Sequence, residues 1–392
     1  MPAKSLGLVP GVYREDIFPT PSPALPTGVP IFLGFAAKGR ENDPQRLTLW
    51  PQFAEAFGES LSGGYLAAAV RGFFSNGGDF CYVLRLTAQG SAEDVLQAGL
   101  AVIAPLSNID LVCVPDIMKG HRLNHDQVWR LQQQVIEHCD QLGDRFAILD
   151  ALPSVELTSD QAKNDLQQQL ANLTGDNAAL YAPWLQNDRR DWVPPCGHVA
   201  GVYAKRDRTI GVHHAPANEV LEDVLDISVR FSNADQSALN AAGNGQGNQV
   251  NCVRSLPGRG IRIWGAYTLS ANPLWRYVGV RRLFITVGRW AEHNLSAAAF
   301  EPNNVTLWIR IERELTAYLE ALAQQGALQG ETPEQAFFVK CDAETNPSEV
   351  RDQGQVVTEI GLAPTLLNEF IVVRLIHGAS GVVVNSAPVV PP

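Results

Sequence analysis

Apolar residues recur in two alternating spacings from residue 29 to about residue 251. Short continuous apolar runs, typical of strands buried on both faces, are separated by stretches with apolar positions three and four apart, the period of a helix. The predicted strands are Val29–Phe35, Cys81–Leu86, Ile109–Val114, Phe146–Leu152 and Leu180–Trp184, and the predicted helices are Tyr65–Phe74, Asn124–Leu142 and Ser159–Leu173. Strands that alternate with helices over short connections predict a mainly parallel α/β sheet with right-handed crossovers.

A second pattern follows a polar, glycine-rich stretch at residues 233–251, which we interpret as a loop and a domain boundary. The predicted strands of this second unit are Arg262–Gly265, Phe337–Cys341 and Glu369–Ile376, and its predicted helices are Trp275–Trp290 and Asn304–Gln325. The last helix is amphipathic, with an apolar stripe of Leu307, Ile311, Leu315, Tyr318, Leu319 and Leu322. Two or three strands with two helices make a thin sheet with open edges, which predicts that strands are supplied from elsewhere.

Both chain ends have the pattern of extended arms. Six prolines between Pro10 and Pro30 interrupt the N-terminal segment and exclude a helix or a central strand, while apolar residues lie between them. At the other end, Gly381–Asn385 is a β-branched run of the kind that pairs with a sheet edge. Two frayed termini are the alternative interpretation, but two strand-prone ends on one chain favour exchange between subunits.

The predicted organisation therefore has four parts. They are an N-terminal arm at 1–28, an outer α/β domain at 29–251, a smaller α+β C-terminal domain at 252–378 and a C-terminal arm at 379–392. We expect the arms to complete the C-terminal sheet of other subunits. The residues assigned to this exchange are Val9, Val12, Tyr13, Ile17, Phe338, Val339, Phe370, Val372, Val382, Val383 and Val384.

Composition narrows the class of function. Among 392 residues, 30 are Lys or Arg and 41 are Asp or Glu, which leaves a net charge of −11. This balance argues against nonspecific binding to nucleic acid or to an anionic membrane, where basic residues must neutralise phosphates. No apolar stretch reaches transmembrane length, and no signal peptide is expected. Six cysteines without C-x-x-C spacing indicate reduced thiols and synthesis in a cytosolic compartment.

The sequence lacks the spacings that mark familiar catalytic or cofactor sites. No phosphate-binding G-x-x-x-x-G-K-[ST] and no H-E-x-x-H occurs, so no catalytic, cofactor-binding or metal-ligating residue is predicted. Asp110, Asp116 and Asp150 flank predicted parallel strands, where many α/β enzymes carry carboxylates. An α/β enzyme with these three in a cleft is therefore the alternative hypothesis, although aspartate at strand ends is also ordinary turn chemistry.

A series of short segments in a fixed order resembles the contractile tail sheath proteins of phages and phage-tail-like particles. The similar segments are Pro10–Tyr13, Ala69–Gly78, Cys81–Arg85, Gly197–Ala204, Ala215–Asn218, Pro257–Ala266, Tyr277–Val278, Val280–Phe284, Phe300–Asn303, Leu307–Trp308, Gly326–Gly330, Ala336–Asp342 and Glu369–Arg374. The resemblance covers nearly the whole chain and is weakest over residues 120–190. The chain length fits the compact sheaths of phage-tail-like particles.

The resemblance implies a structural subunit and no enzyme. Such subunits stack as hexameric rings into a helical sheath around an inner tube, assemble in a metastable extended state and contract to drive the tube through a target envelope. The implied partners are other copies of the chain, the tube, baseplate and terminal cap proteins, and sister sheath proteins where a particle has them. Neither nucleic acid nor membrane insertion is implied, and assembly is expected in the bacterial cytoplasm. For contact with the tube we expect the charged face of Asn304–Gln325, with Arg310, Arg313, Glu314 and Glu320, and a helix face exposed only to solvent is the alternative interpretation.

Overall fold

The computed structural model describes residues 25–120, 124–240, 249–296, 298, 301–365, 371–378 and 381–386. The strands are β1 (Pro30–Gly34), β2 (Gln45–Leu47), β3 (Cys81–Arg85), β4 (Leu111–Cys113), β5 (Phe146–Asp150), β6 (Ala178–Ala182), β7 (Leu185–Asn187), β8 (Trp192–Val193), β9 (Val224–Ile227), β10 (Val250–Leu256), β11 (Gly260–Trp264), β12 (Phe337–Lys340), β13 (Val356–Leu362), β14 (Ile371–Gly378) and β15 (Gly381–Ser386). The helices are α1 (Pro51–Phe57), α2 (Leu66–Ser75), α3 (Ala92–Ile103), α4 (His125–Leu142), α5 (Ser159–Ala171), α6 (Cys196–Ile210), α7 (Asn233–Asn240), α8 (Val278–Leu295), α9 (Val305–Gln324), α10 (Pro333–Ala336) and α11 (Ser348–Asp352).

The first unit is a large sheet with the order β11-β10-β6-β5-β4-β1-β3-β2. The six strands from β10 to β3 run parallel, while β11 and β2 are antiparallel edges. One face packs against α3, α4 and α5, and the other against α1, α2 and α6. Cover on both faces explains the continuous apolar runs of the sequence, because both sides of each strand are buried. The predicted parallel-rich α/β sheet is confirmed.

The second unit is an antiparallel sheet with the order β12-β13-β14-β15, packed against α8 and α9. Residues along β14 alternate between buried and more exposed positions, as expected for a sheet with one face on the core. The prediction of only two or three strands is wrong, because Val356–Leu362 and Gly381–Ser386 supply two more from the same chain. A third sheet, of β8, β7 and β9, packs against the core of the large sheet through Leu185, Val193 and Ile227.

The predicted boundary region also differs from the structure. Residues 233–240 form α7 rather than loop, and residues 250–264 form β10 and β11 of the large sheet rather than the start of the second unit. β10 continues the parallel sheet beside β6, and the turn with left-handed Gly258 returns the chain as β11. The glycine-rich composition predicts a break in regular structure, but it does not show to which sheet the following strands belong. Only the pairing of β10 with β6 places them in the large sheet.

Candidate assembly surfaces

The three aspartates of the enzyme hypothesis do not meet in one cleft. Asp110 lies directly before β4, at the amino edge of the parallel strands, whereas Asp116 follows β4 and Asp150 ends β5, at the carboxyl edge. All three are buried, with exposed fractions between 3% and 5%. Because Asp110 lies at the edge opposite to Asp116 and Asp150, the arrangement argues against an acid–base role shared by all three.

Each of these carboxylates accepts hydrogen bonds from backbone amides. Asp110 accepts from Gly28 N at 3.0 Å and Val29 N at 2.6 Å, and Asp150 accepts from Cys196 N at 2.7 Å. Burial raises the pKa of Asp150 to about 7, against the hydrogen bonds from Cys196 that lower it. The carboxylates thus satisfy buried donors that would otherwise cost about 1–3 kcal/mol each.

A buried arginine joins the two units. Arg282 of α8 contacts Asp110 at 2.8 Å and Asp207 of α6 at 2.6 Å, and all three side chains are 3% exposed. Burial alone would lower the pKa of Arg282, but the two carboxylates raise it, so the guanidinium stays charged. The second unit is therefore fixed to the amino edge of the large sheet by a desolvated ion pair.

Two more arginines of α8 reach the same edge. Arg281 Nε lies 2.6 Å from Asn177 Oδ1, directly before β6, and Arg289 donates to the Ser107 carbonyl at 3.1 Å. Sequence reasoning missed this joint. The available signal was the Arg281–Arg282 pair in the otherwise largely apolar segment Val278–Gly288, where a charge needs a buried partner.

The C-terminal strand β15 lies at one edge of the antiparallel sheet, in a groove formed with α8. Val382 and Val384 pack towards the core, whereas Val383 is 51% exposed. A Cβ on Gly288 would come within 2.7 Å of Val384 Cγ2, so the glycine makes room for the strand. Glu292 of α8 accepts a hydrogen bond from the backbone of Val382.

The residues assigned to strand exchange thus have different positions. Val382, Val383 and Val384 pair with β14 of their own chain. Phe338 and Val339 belong to β12, at the opposite edge of the sheet, and Val372 is a half-buried residue of β14. The remaining assigned residues lie outside the described residues; they are Val9, Val12, Tyr13, Ile17 and Phe370. Exchange with another subunit stays a prediction.

The predicted amphipathic helix is present as α9. Leu307, Ile311, Leu315, Leu319 and Leu322 are buried as expected, and Tyr318 of the predicted stripe is half-buried. On the charged side, Arg310 binds Glu301 at 2.5 Å and lies 3.8 Å from Glu314.

The charged face of α9 is therefore only partly free. Arg313 and Glu320 are exposed, whereas Arg310 and Glu314 are half-buried and engaged with each other. Of the four residues expected to face a tube, two are thus open to a partner. That contact also stays a prediction.

The described part of the chain contains neither a candidate membrane span nor a candidate metal cluster. None of its helices combines the length and apolar composition of a membrane span. Nor do three or more His, Cys, Asp or Glu side chains come together there as a metal cluster. The six cysteines are all buried and unbridged.

The fold and its two linked units match a class of structural proteins from contractile tails. The model of the phage tail sheath protein central domain matches residues 107–269, and that of the phage tail sheath C-terminal domain matches residues 270–375. The chain belongs to the contractile tail sheath protein family, which confirms the resemblance drawn from its sequence.

Solved sheath structures are similar over nearly the full length. The contracted helical sheath of the anti-feeding prophage is 30% identical, with a TM-score of 0.72, over 93% of this chain and 98% of that chain. The contracted sheath of PVC, an extracellular contractile injection system, is 29% identical, with a TM-score of 0.72, over 94% of this chain and 97% of that chain. The tail sheath protein of Salmonella phage ViI is 28% identical over 45% of this chain, and the match spans only 27% of that relative.

Proposed function

We propose that this protein polymerises as hexameric rings into the contractile sheath of an extracellular injection particle. The observation that carries the proposal is the near-complete cover, in both directions, by sheath chains of contracted helical assemblies. The match to phage ViI spans a much smaller share of the relative. The subunits assemble around an inner tube in the bacterial cytoplasm, attach to a baseplate and a terminal cap, and contract to drive the tube through a target envelope.

The link between subunits is proposed to be an exchange of terminal strands. The groove beside β14 accepts β15 of its own chain through backbone pairing, an apolar contact at Gly288 and the Glu292 carboxylate. Backbone pairing tolerates any strand of similar pattern, so the C-terminal strand of a neighbouring copy fits the same groove. The energy for contraction then comes from a metastable lattice, whose subunits move into tighter packing.

The N-terminal arm is tested by deletion of residues 1–18. We expect a folded, soluble protein that does not polymerise, because the arm donates a strand to a neighbour and contributes little to its own core. Electron microscopy of the purified full chain and of the deletion checks this. Cylinders of normal length from the deletion would contradict the proposed exchange.

The groove is tested by Gly288→Val, which places side-chain atoms where Val384 lies. Both the chain's own strand and a donated strand would be displaced, so we expect loss of cylinders with the circular dichroism of the subunit retained. Gly378→Ala is the matched control, since a Cβ there meets nothing within 4 Å. Normal assembly of Gly288→Val would show that the groove holds no donated strand.

A further inference from the structure

Five strands of the large sheet follow a known ligand-binding order. Their order across the sheet is β3-β1-β4-β5-β6. The chain therefore adds β3 on one side of β1, and then β4, β5 and β6 in succession on the other side. The connection from β1 to β3 passes through α1 and α2 on one face, whereas α3, α4 and α5 cover the opposite face. This is the doubly wound order 2-1-3-4-5, in which ligands bind beyond the carboxyl ends of the strands where the connections diverge. Here that point lies between β1 and β4.

A carboxylate of the chain itself occupies this point. Asp116, in the turn after β4, is 5% exposed. Its Oδ2 accepts from Phe35 N at 2.7 Å, directly after β1, and its Oδ1 accepts from Tyr65 N at 2.6 Å. Tyr65 is the N-cap residue of the ten-residue helix α2. Amide donors at a helix N-terminus favour an anion, and such folds bind phosphates in this position.

The surrounding backbone leaves space for the carboxylate. A Cβ on Gly34 would lie 2.7 Å from Asp116 Oδ2 and 3.0 Å from Leu66 Cβ, so a larger residue there would collide with the carboxylate. A Cβ on Gly64 would lie 3.7 Å from Oδ1. The close approach of β1 to the anion is the reason for glycine at position 34.

A cavity of about 170 Å³ adjoins Asp116. It lies between α3 and α4, is lined mainly by apolar side chains and includes Asp116, Lys119 and Gln127. Lys119 is exposed, so the cavity reaches the surface. A small anion from solution therefore has a route to the amides of Phe35 and Tyr65 once the side chain of Asp116 is shortened.

We infer that Asp116 is an internal ligand, whose carboxylate fills the anion position of the fold's small-molecule site. The site is closed by the chain itself, and the carboxylate connects the end of β1, the start of α2 and the turn after β4. A fold that in other proteins opens to hold a ligand is thereby held as one rigid body. This inference does not depend on the role of the protein in a sheath.

The test is rescue of Asp116→Ala by formate, the smallest carboxylate. Loss of the side chain leaves buried amide donors unpaired, and the unfolding equilibrium constant should rise by roughly tenfold to a hundredfold. Sodium formate should restore stability to the variant, measured by urea denaturation, whereas sodium chloride of equal ionic strength should not. Formate should leave the unsubstituted protein unchanged, because its site is filled.

Asp150→Ala is the matched control, since Asp150 also accepts from a backbone amide but does not line this cavity. Formate rescue restricted to Asp116→Ala supports the inference. Unchanged stability of Asp116→Ala, destabilisation without rescue, or equal rescue of both variants overturns it. If Asp116→Ala is recovered only unfolded, refolding into formate or into chloride gives the same readout. Folded protein in formate alone supports the inference, and none in either salt overturns it.

Discussion

The two sheets of this protein differ in how completely the chain covers them. In the large sheet every residue of β1, β5 and β6 is buried. One edge of this sheet is β2, which has only three residues. The other edge is β11, whose Arg262 forms an isolated antiparallel β-bridge with Val220. In the antiparallel sheet β14 alternates, Phe338 is 39% exposed and Val383 is 51% exposed. The first sheet is covered on both faces by helices of its own chain, whereas the second presents half-covered strands at both edges.

Under the proposed function, the large sheet is the rigid part of the subunit and the antiparallel sheet is the part that contacts other subunits. Both faces of the parallel sheet are covered by helices of the same chain, and its aspartates satisfy internal donors. The antiparallel sheet carries the terminal strand β15 at one edge, and this is the edge at which we propose exchange with another copy. The joint at Arg282 connects the two units through a buried ion pair.

The largest expected effect is at this joint. Arg282→Ala leaves Asp110 and Asp207 buried without their counter-charge, which we expect to cost about 3–5 kcal/mol of unfolding free energy. Arg310→Ala removes ion pairs of half-buried side chains and should cost at most about 1 kcal/mol. Urea denaturation of both variants measures the difference. Equal losses would mean that the two units are not joined by the buried ion pair.

Truncation of one residue in each sheet tests their difference in cover. Ile148→Ala in β5 removes a side chain that is 1% exposed and should cost about 2–5 kcal/mol. Val383→Ala in β15 should change stability by about 0.5 kcal/mol or less. Thermal and urea unfolding of soluble subunits give both values. A large loss at Val383 in the unassembled subunit would show that β15 belongs to the core.

The two units should also respond to pH in opposite directions. Burial raises the pKa of Asp150 to about 7 in the folded protein, so its contribution to stability falls as pH rises from about 4 to 7. Burial lowers the pKa of His377 to about 4, so its contribution falls as pH drops from about 6.5 to 4. His377 lies in β14, is 2% exposed and has neither ring nitrogen hydrogen-bonded.

Asp150→Asn should remove the pH dependence that Asp150 causes, and His377→Leu should remove the one that His377 causes. At about 1.4 kcal/mol per pKa unit, each residue changes the unfolding free energy by a few kcal/mol at most over this range. The measurement is the unfolding free energy of each variant relative to the unsubstituted protein across this pH range. A difference that does not vary with pH would rule out the assigned titration for that residue.

The sequence by itself determined the elements whose pattern is local. Apolar spacing predicts most strands of the large sheet and the helices α2, α4, α5 and α9. A strand buried on both faces has a continuous apolar run, and a helix buried on one face has apolar residues three and four positions apart. The family followed from short segments in a fixed order. Helix α6 was missed because its residues 196–204 are all buried, which leaves no polar side to define a stripe.

Only the tertiary structure decided which distant groups meet. Asp110, Asp116 and Asp150 looked alike in sequence. In the fold, Arg282 contacts Asp110, and Asp116 accepts hydrogen bonds at the end of β1 and at the start of α2. Asp150 accepts a hydrogen bond from an amide of α6. The chain likewise supplies β13 and β15 to a sheet that its sequence pattern left incomplete. Such contacts depend on strand order and desolvation, which arise from residues far apart in the chain and leave no periodic signal within it.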